Sequence, residues 1–130
     1  MAFVHAVIAL ALIQFFVYGF LVGRARVQYK IPAPATTGHE IFERYCRVHY
    51  NTMEQLVKFV PAILLFAYYV NATAAAVLGV VFIIGRVVYF RAYIADPAKR
   101  GPGFGLTVLP TTIMLLGGLG GALWAAIGST

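Results

Sequence analysis

The chain has 130 residues, 62% of them hydrophobic and only 11% charged, and its mean hydropathy of +0.85 excludes an ordinary water-soluble domain. Ten Lys and Arg against four Asp and Glu give a net charge of +6. The basic residues gather beside apolar stretches, where membrane topology and anionic lipid headgroups account for them, so no nucleic-acid partner is expected.

Four stretches of roughly 3–23, 44–70, 74–95 and 104–127 approach the ~20 residues that cross ~30 Å of hydrocarbon as a helix. The expected fold is therefore an all-α membrane protein, one domain over residues 1–130 forming a four-transmembrane-helix bundle. The first stretch has no basic residue before its apolar core and is followed by "GRARVQYK" rather than a small-residue cleavage site, so it reads as a retained helix. In the second, the apolar run proper covers 56–70 and the helix begins well before it. The third follows a short "NATA" turn at 71–74. The fourth carries "GGLGG" at 117–121, a smooth face for close helix packing, and Pro110, where a kink is expected.

All ten basic residues fall in two blocks, Arg24 to Lys58 and Arg86 to Arg100. The positive-inside bias puts the first and third connections in the cytosol and both termini on the non-cytoplasmic side. Cys46 is the one cysteine, which excludes an intrachain disulfide, and His5, His39 and His49 lack metal-ligand spacing. No metal is expected.

The charges of the second stretch are ordered. At ~100° per residue, Arg44, Arg47, Asn51, Glu54 and Lys58 share an arc of about 80°. Arg86, Tyr89, Tyr93 and Asp96 do the same on the third helix. Arg86 lies about 18 Å from the outward turn, well within the hydrocarbon. A charge facing lipid at that depth costs on the order of 3 kcal/mol, several times what one Leu or Ile contributes. Both stripes must therefore face protein or water, and a short hairpin sets them side by side to close one polar cleft open to the cytosol. Buried ion pairs that merely fix helix register are the plainer reading. The cations outnumber the carboxylates, however, and the surplus suits an anionic guest. Arg supplies a fork for carboxylates, and Asn51, Glu54, Tyr89 and Tyr93 add acceptors and donors.

"TTG" at 36–38, "FERYCRVHYNTME" at 42–54 and "RVVYFRAY" at 86–93 resemble the MAPEG family, the membrane-associated proteins of eicosanoid and glutathione metabolism. The resemblance runs from about Arg24 to Arg100 and is strongest to the glutathione-dependent leukotriene synthase and the microsomal glutathione transferases. It implies that glutathione is the co-substrate, with Arg47, Asn51 and Glu54 holding its carboxylates and amino group and Arg86, Tyr89 and Tyr93 completing the site. It implies that Arg100 stabilises the thiolate, with Lys99 its nearest rival. It also implies a homotrimer with sites between subunits, to which Arg26, His49 and Arg100 would come from the neighbour. Gln55, His49 and Val27 depart from the leukotriene enzyme's residues at positions near the ligand, which bears on the acceptor substrate.

The function so implied is a membrane-bound glutathione transferase or peroxidase acting on a lipophilic electrophile or lipid hydroperoxide. The alternative is a non-catalytic lipid-binding scaffold of the five-lipoxygenase-activating type. A proton pathway through Glu54 and Asp96 is disfavoured, because neither the hairpin nor the fourth span offers an acid to continue it. The compact chain without a retrieval signal at "AAIGST" favours a bacterial inner membrane over the endoplasmic reticulum.

Overall fold

A computed structural model describes residues 1–129 as four long helices: α1 (Ala2–Gln28), α2 (Glu40–Tyr69), α3 (Ala72–Ala95) and α4 (Gly101–Gly128). A single 3-10 turn, Pro97–Lys99, links α3 to α4. α2 and α3 each pack against both α1 and α4. Three segments, Ala2–Gln28, Ala72–Ala95 and Pro97–Gly128, are long and apolar enough to cross a membrane. α2 is long enough, about 45 Å at 1.5 Å per residue, but Glu40, Glu43, Arg44, Arg47, Glu54 and Lys58 lower its apolarity.

Capping side chains set the helix boundaries. The turn between α2 and α3 is tighter than the expected four residues. Asn71 takes an extended backbone and its Oδ1 accepts from the Ala74 N–H at 2.8 Å, so most of "NATA" is already helix. α2 starts at His39, whose Nδ1 accepts from the Ile41 N–H, while Glu43 reaches back to accept from the Gly38 N–H at 3.3 Å. Gly38 has φ +130, a backbone conformation that a Cβ would strain. α4 begins with Pro102 in its first turn and runs unbroken through Pro110.

Two kinds of packing hold the bundle. At the hairpin end, Val4, Val7, Ala11, Phe59, Ile63, Phe66, Ala75, Phe82 and Met114 form an apolar core, in which Phe59 and Phe82 stack at 3.9 Å. Glycines bring the backbones together elsewhere. A Cβ on Gly117, Gly118 or Gly121 would lie within 3 Å of Phe66, Leu65 or Tyr69 on α2, so the glycine run does serve close packing of α4 on α2. Gly85 meets Leu106, and Gly103 meets the backbone of Tyr89. Much of the outer surface is apolar, with Phe3, Phe16, Phe20, Val57, Tyr68, Leu116 and Trp124 exposed.

Gly103→Ala forces α4 away from Tyr89 and is expected to lower stability by about 1–3 kcal/mol. Gly120→Ala meets nothing within 4 Å and is expected to leave it unchanged. Thermal unfolding of the two variants in one detergent, side by side, checks both; equal midpoints would contradict the close α3–α4 approach.

Candidate functional site

The two polar stripes do meet. Arg47 and Asn51 from α2, Tyr89 and Tyr93 from α3, and Arg100, Gly101 and Phe104 at the head of α4 line one cleft of about 540 Å³. Tyr89 and Tyr93 stack at 5.5 Å, one helical turn apart. A second trough, of about 580 Å³ and lined in part by Thr36, Glu43 and Arg44, shares Arg47 and Tyr93 with it, so the cleft continues toward the basic connections.

Each stripe residue has a different task. Arg44 leaves the cleft to others: its Nη1 donates to the Ile94 carbonyl at 2.9 Å and its Nη2 to Glu40 at 2.7 Å. It thereby ties α2 to the last carbonyls of α3, where helix geometry leaves acceptors open and favours a cation. Arg47 pairs loosely with Glu54, Nη1 to Oε1 at 3.7 Å, with both side chains about half exposed; such a pair contributes little by itself. Asn51 is buried, and its Oδ1 has no partner among the described residues. A buried amide oxygen left open beside a cleft is one that a ligand donor can satisfy.

Arg86 is fully buried and lies behind the cleft rather than in its lining. Its Nη2 donates to Thr52 Oγ1 at 2.7 Å and its Nη1 to Thr107 Oγ1 at 3.3 Å. Its Cζ sits 4.4 Å from the Tyr89 ring centroid, within cation–π range. Tyr18 on α1 donates to the Arg86 carbonyl at 3.2 Å. Arg100, at the N-cap of α4, donates to the Pro97 carbonyl and lines the cleft, whereas its rival Lys99 does not.

Besides Arg86, four sequence-derived candidates are not in the lining of this cleft, and of these Glu54 reaches it only through its pairing with Arg47. Gln55 is buried with its Oε1 unpartnered. His49 packs edge-on against Phe15 of α1 at 4.6 Å and lines an apolar groove with Phe16, Gly19, Phe20, Gly23 and Arg24. Arg26 donates to the Ala35 carbonyl at 2.8 Å and lies over the Phe42 ring, fastening the first connection. No group of His, Cys, Asp or Glu able to hold a metal occurs among the described residues.

Residues 3–120 match the model of the MAPEG family. The chain belongs to the MAPEG family. Among MAPEG relatives, it is 47% identical over 116 residues to an uncharacterized protein of Synechocystis, covering 89% of this chain and 85% of that one. It is 38% identical over 104 residues to human microsomal glutathione S-transferase 2, covering 79% and 71%. To the leukotriene C4 synthase of Cavia porcellus it is 32% identical over 77 residues, covering 59% and 51%. Family membership and the apolar helices together make this MAPEG chain a multi-pass integral membrane protein.

Sequence reasoning missed Thr52, Thr107, Gly103 and Tyr18, which hold Arg86 and Tyr89 in place. Thr52→Val removes an acceptor from a buried guanidinium and is expected to cost about 1.5–3 kcal/mol, while Thr52→Ser keeps the hydroxyl and most of the stability. Denaturant or thermal unfolding distinguishes them, and a Val variant as stable as the Ser variant would mean that the Thr52 bond contributes nothing.

Proposed function

We propose that the chain is a glutathione transferase, with peroxidase capacity, that joins or transfers electrons from glutathione to lipophilic electrophiles in a bacterial inner membrane. The observation that carries the reading is charge. Arg47 and Arg100 line the cleft, Arg86 stands behind its Tyr89 wall, and among the described residues the one carboxylate paired with any of the three is that of Glu54, 3.7 Å from Arg47. Glutathione brings two carboxylates and one ammonium, and a second net negative charge once its thiol ionises. The similarity to microsomal glutathione S-transferase 2 supports the same conclusion, and the Synechocystis relative supports a bacterial host.

In this reading Arg47 receives a carboxylate of the tripeptide, Glu54 receives its ammonium, and the open Asn51 Oδ1 accepts from a peptide N–H. Tyr89 and Tyr93 donate from their hydroxyls. Arg100 faces the sulfur from the first turn of α4, where guanidinium and open backbone N–H groups both favour an anion. A thiol with a pKa near ~8.5 is mostly protonated at neutral pH, and a nearby cation shifts it to the nucleophilic thiolate. The thiol proton passes to solvent. In conjugation, sulfur forms a bond to the electrophilic carbon and the displaced group, or opened epoxide oxygen, takes up a proton. With a lipid hydroperoxide, the thiolate attacks the distal oxygen, the O–O bond breaks, the alkoxide takes up a proton from solvent and leaves as the alcohol, and a second glutathione reduces the resulting sulfenic acid to disulfide and water. Holding a water-soluble and a bilayer-soluble reactant together supplies much of the rate.

We place the complete site in a homotrimer. Arg26 and His49 point away from the cleft of their own protomer, which supports their use by an adjacent copy.

Arg100→Leu is expected to abolish thiolate formation while glutathione affinity stays within about tenfold. Thiolate absorbance during glutathione titration measures it, and undiminished absorbance would hand the role to another cation. Glu54→Gln is expected to weaken glutathione binding at least tenfold by removing the partner of the ammonium. Calorimetry on the solubilised protein would reject that assignment if the dissociation constant stayed the same. A lipid-binding scaffold would show neither effect.

A further inference from the structure

Arg86 does not line the cleft, yet Tyr89, whose ring it faces at 4.4 Å, does. Its guanidinium is clamped. Thr52 Oγ1 donates to the Val48 carbonyl at 2.8 Å and Thr107 Oγ1 to the Gly103 carbonyl at 2.9 Å. Each hydroxyl has one proton, so both threonines can serve Arg86 only as acceptors, and neither brings charge. The four Asp and Glu side chains are engaged elsewhere: Glu40 with Arg44, Glu43 with the Gly38 N–H, Glu54 with Arg47 and Asp96 with the Ala98 N–H. Arg86 therefore keeps an uncompensated positive charge in a water-poor interior, where its field is weakly screened. Tyr18 from α1, Tyr89 from α3 and the hydroxyls of Thr52 and Thr107 from α2 and α4 surround it. The charged and titratable groups around the cleft beyond it are Arg47, Glu54, Tyr89, Tyr93 and Arg100.

We infer that Arg86 is a positioning residue that never touches the ligand: it fixes the Tyr89 ring as one wall of the cleft and supplies, from behind that ring, a standing positive potential favouring the ionised form of a bound thiol. This rests on the cleft being a glutathione site. Charge and shape are separable by substitution. Arg86→Lys keeps the charge but has no planar fork to span both threonines. Arg86→Gln loses the charge and keeps hydrogen-bonding capacity. Thr107→Val keeps the charge and loses one acceptor.

The test follows thiolate absorbance across pH for glutathione bound to the full chain in detergent, alongside the affinity for S-methylglutathione, which has no thiol to ionise. Arg86→Gln is expected to raise the apparent pKa of the bound thiol enough to cut the thiolate fraction at neutral pH about tenfold. Affinity for S-methylglutathione is expected to fall less than threefold. Arg86→Lys is expected to restore the pH profile. A folded Arg86→Gln protein with the wild-type profile, or with equal losses for both ligands, refutes the inference and leaves Arg86 a structural residue. Should Arg86→Gln fail to fold, Arg86→Lys and Thr107→Val decide, since both retain the charge: an unshifted profile in both supports the inference, and a tenfold loss of thiolate in either refutes it. Wild-type protein that binds no glutathione refutes the reading of the cleft itself, a result distinct from binding with a profile indifferent to residue 86.

Discussion

The bundle is organised around a buried cation with no buried anion. Thr52 on α2, Thr107 on α4 and, through the Arg86 carbonyl, Tyr18 on α1 all meet at one residue of α3. In a membrane, where apolar surfaces gain little by leaving lipid for each other, such interhelical hydrogen bonds and close glycine contacts carry much of helix association. Arg86 uses both. Its side chain is held by hydroxyls, and the helix that carries it is met by α4 at Gly103 and Leu106. A carboxylate in place of the two threonines would neutralise the site and satisfy the same donors. Hydroxyls leave the charge standing, which suits a structure whose neighbouring cleft is to hold an anion.

The stripe on α2 divides its labour along the helix axis. Nearest the start, Arg44 ends as an α3 fastener, its guanidinium occupied by two carbonyls and Glu40. Further on, Arg47 and Asn51 reach the cleft, and Glu54, outside the lining and half exposed, pairs with Arg47. Lys58 is exposed on the same face as Val57 and Met53. The cost of charge in hydrocarbon is therefore met in several ways on one helix: by capping a neighbour, by lining an aqueous space, and by pairing at its rim.

Hydropathy and spacing indicate four helices and the meeting of two polar faces, because charge facing lipid costs enough that the stripes bearing Arg47, Asn51, Tyr89 and Tyr93 turn inward. They did not reveal the floor beneath. Thr52 and Thr107 are small and amphipathic, unremarkable in any apolar helix, and their role appears only when α2 and α4 converge on Arg86. Spacing put Arg86 in the same arc as Tyr89 and Tyr93 and set it deepest along the membrane normal, but carried no information that it lies behind the cleft while the two tyrosines line it. The turn at "NATA" is shorter than expected because Asn71 caps α3 and the alanines at 72 and 74, strong helix formers, already belong to its first turn. His49 and Arg26 belong to contacts with α1 and the first connection, and nothing in the periodicity of α2 foretells where a preceding helix will lie.

The short connection between α3 and α4, residues 96–100, bears on the order of assembly. α4 follows α3 in the chain, and Thr107, the second acceptor for the guanidinium, travels with it. Until α4 docks, Arg86 has one hydroxyl where it needs two. Insertion of α3 ahead of α4 therefore leaves that guanidinium half-satisfied, and the docking of α4 supplies its second acceptor.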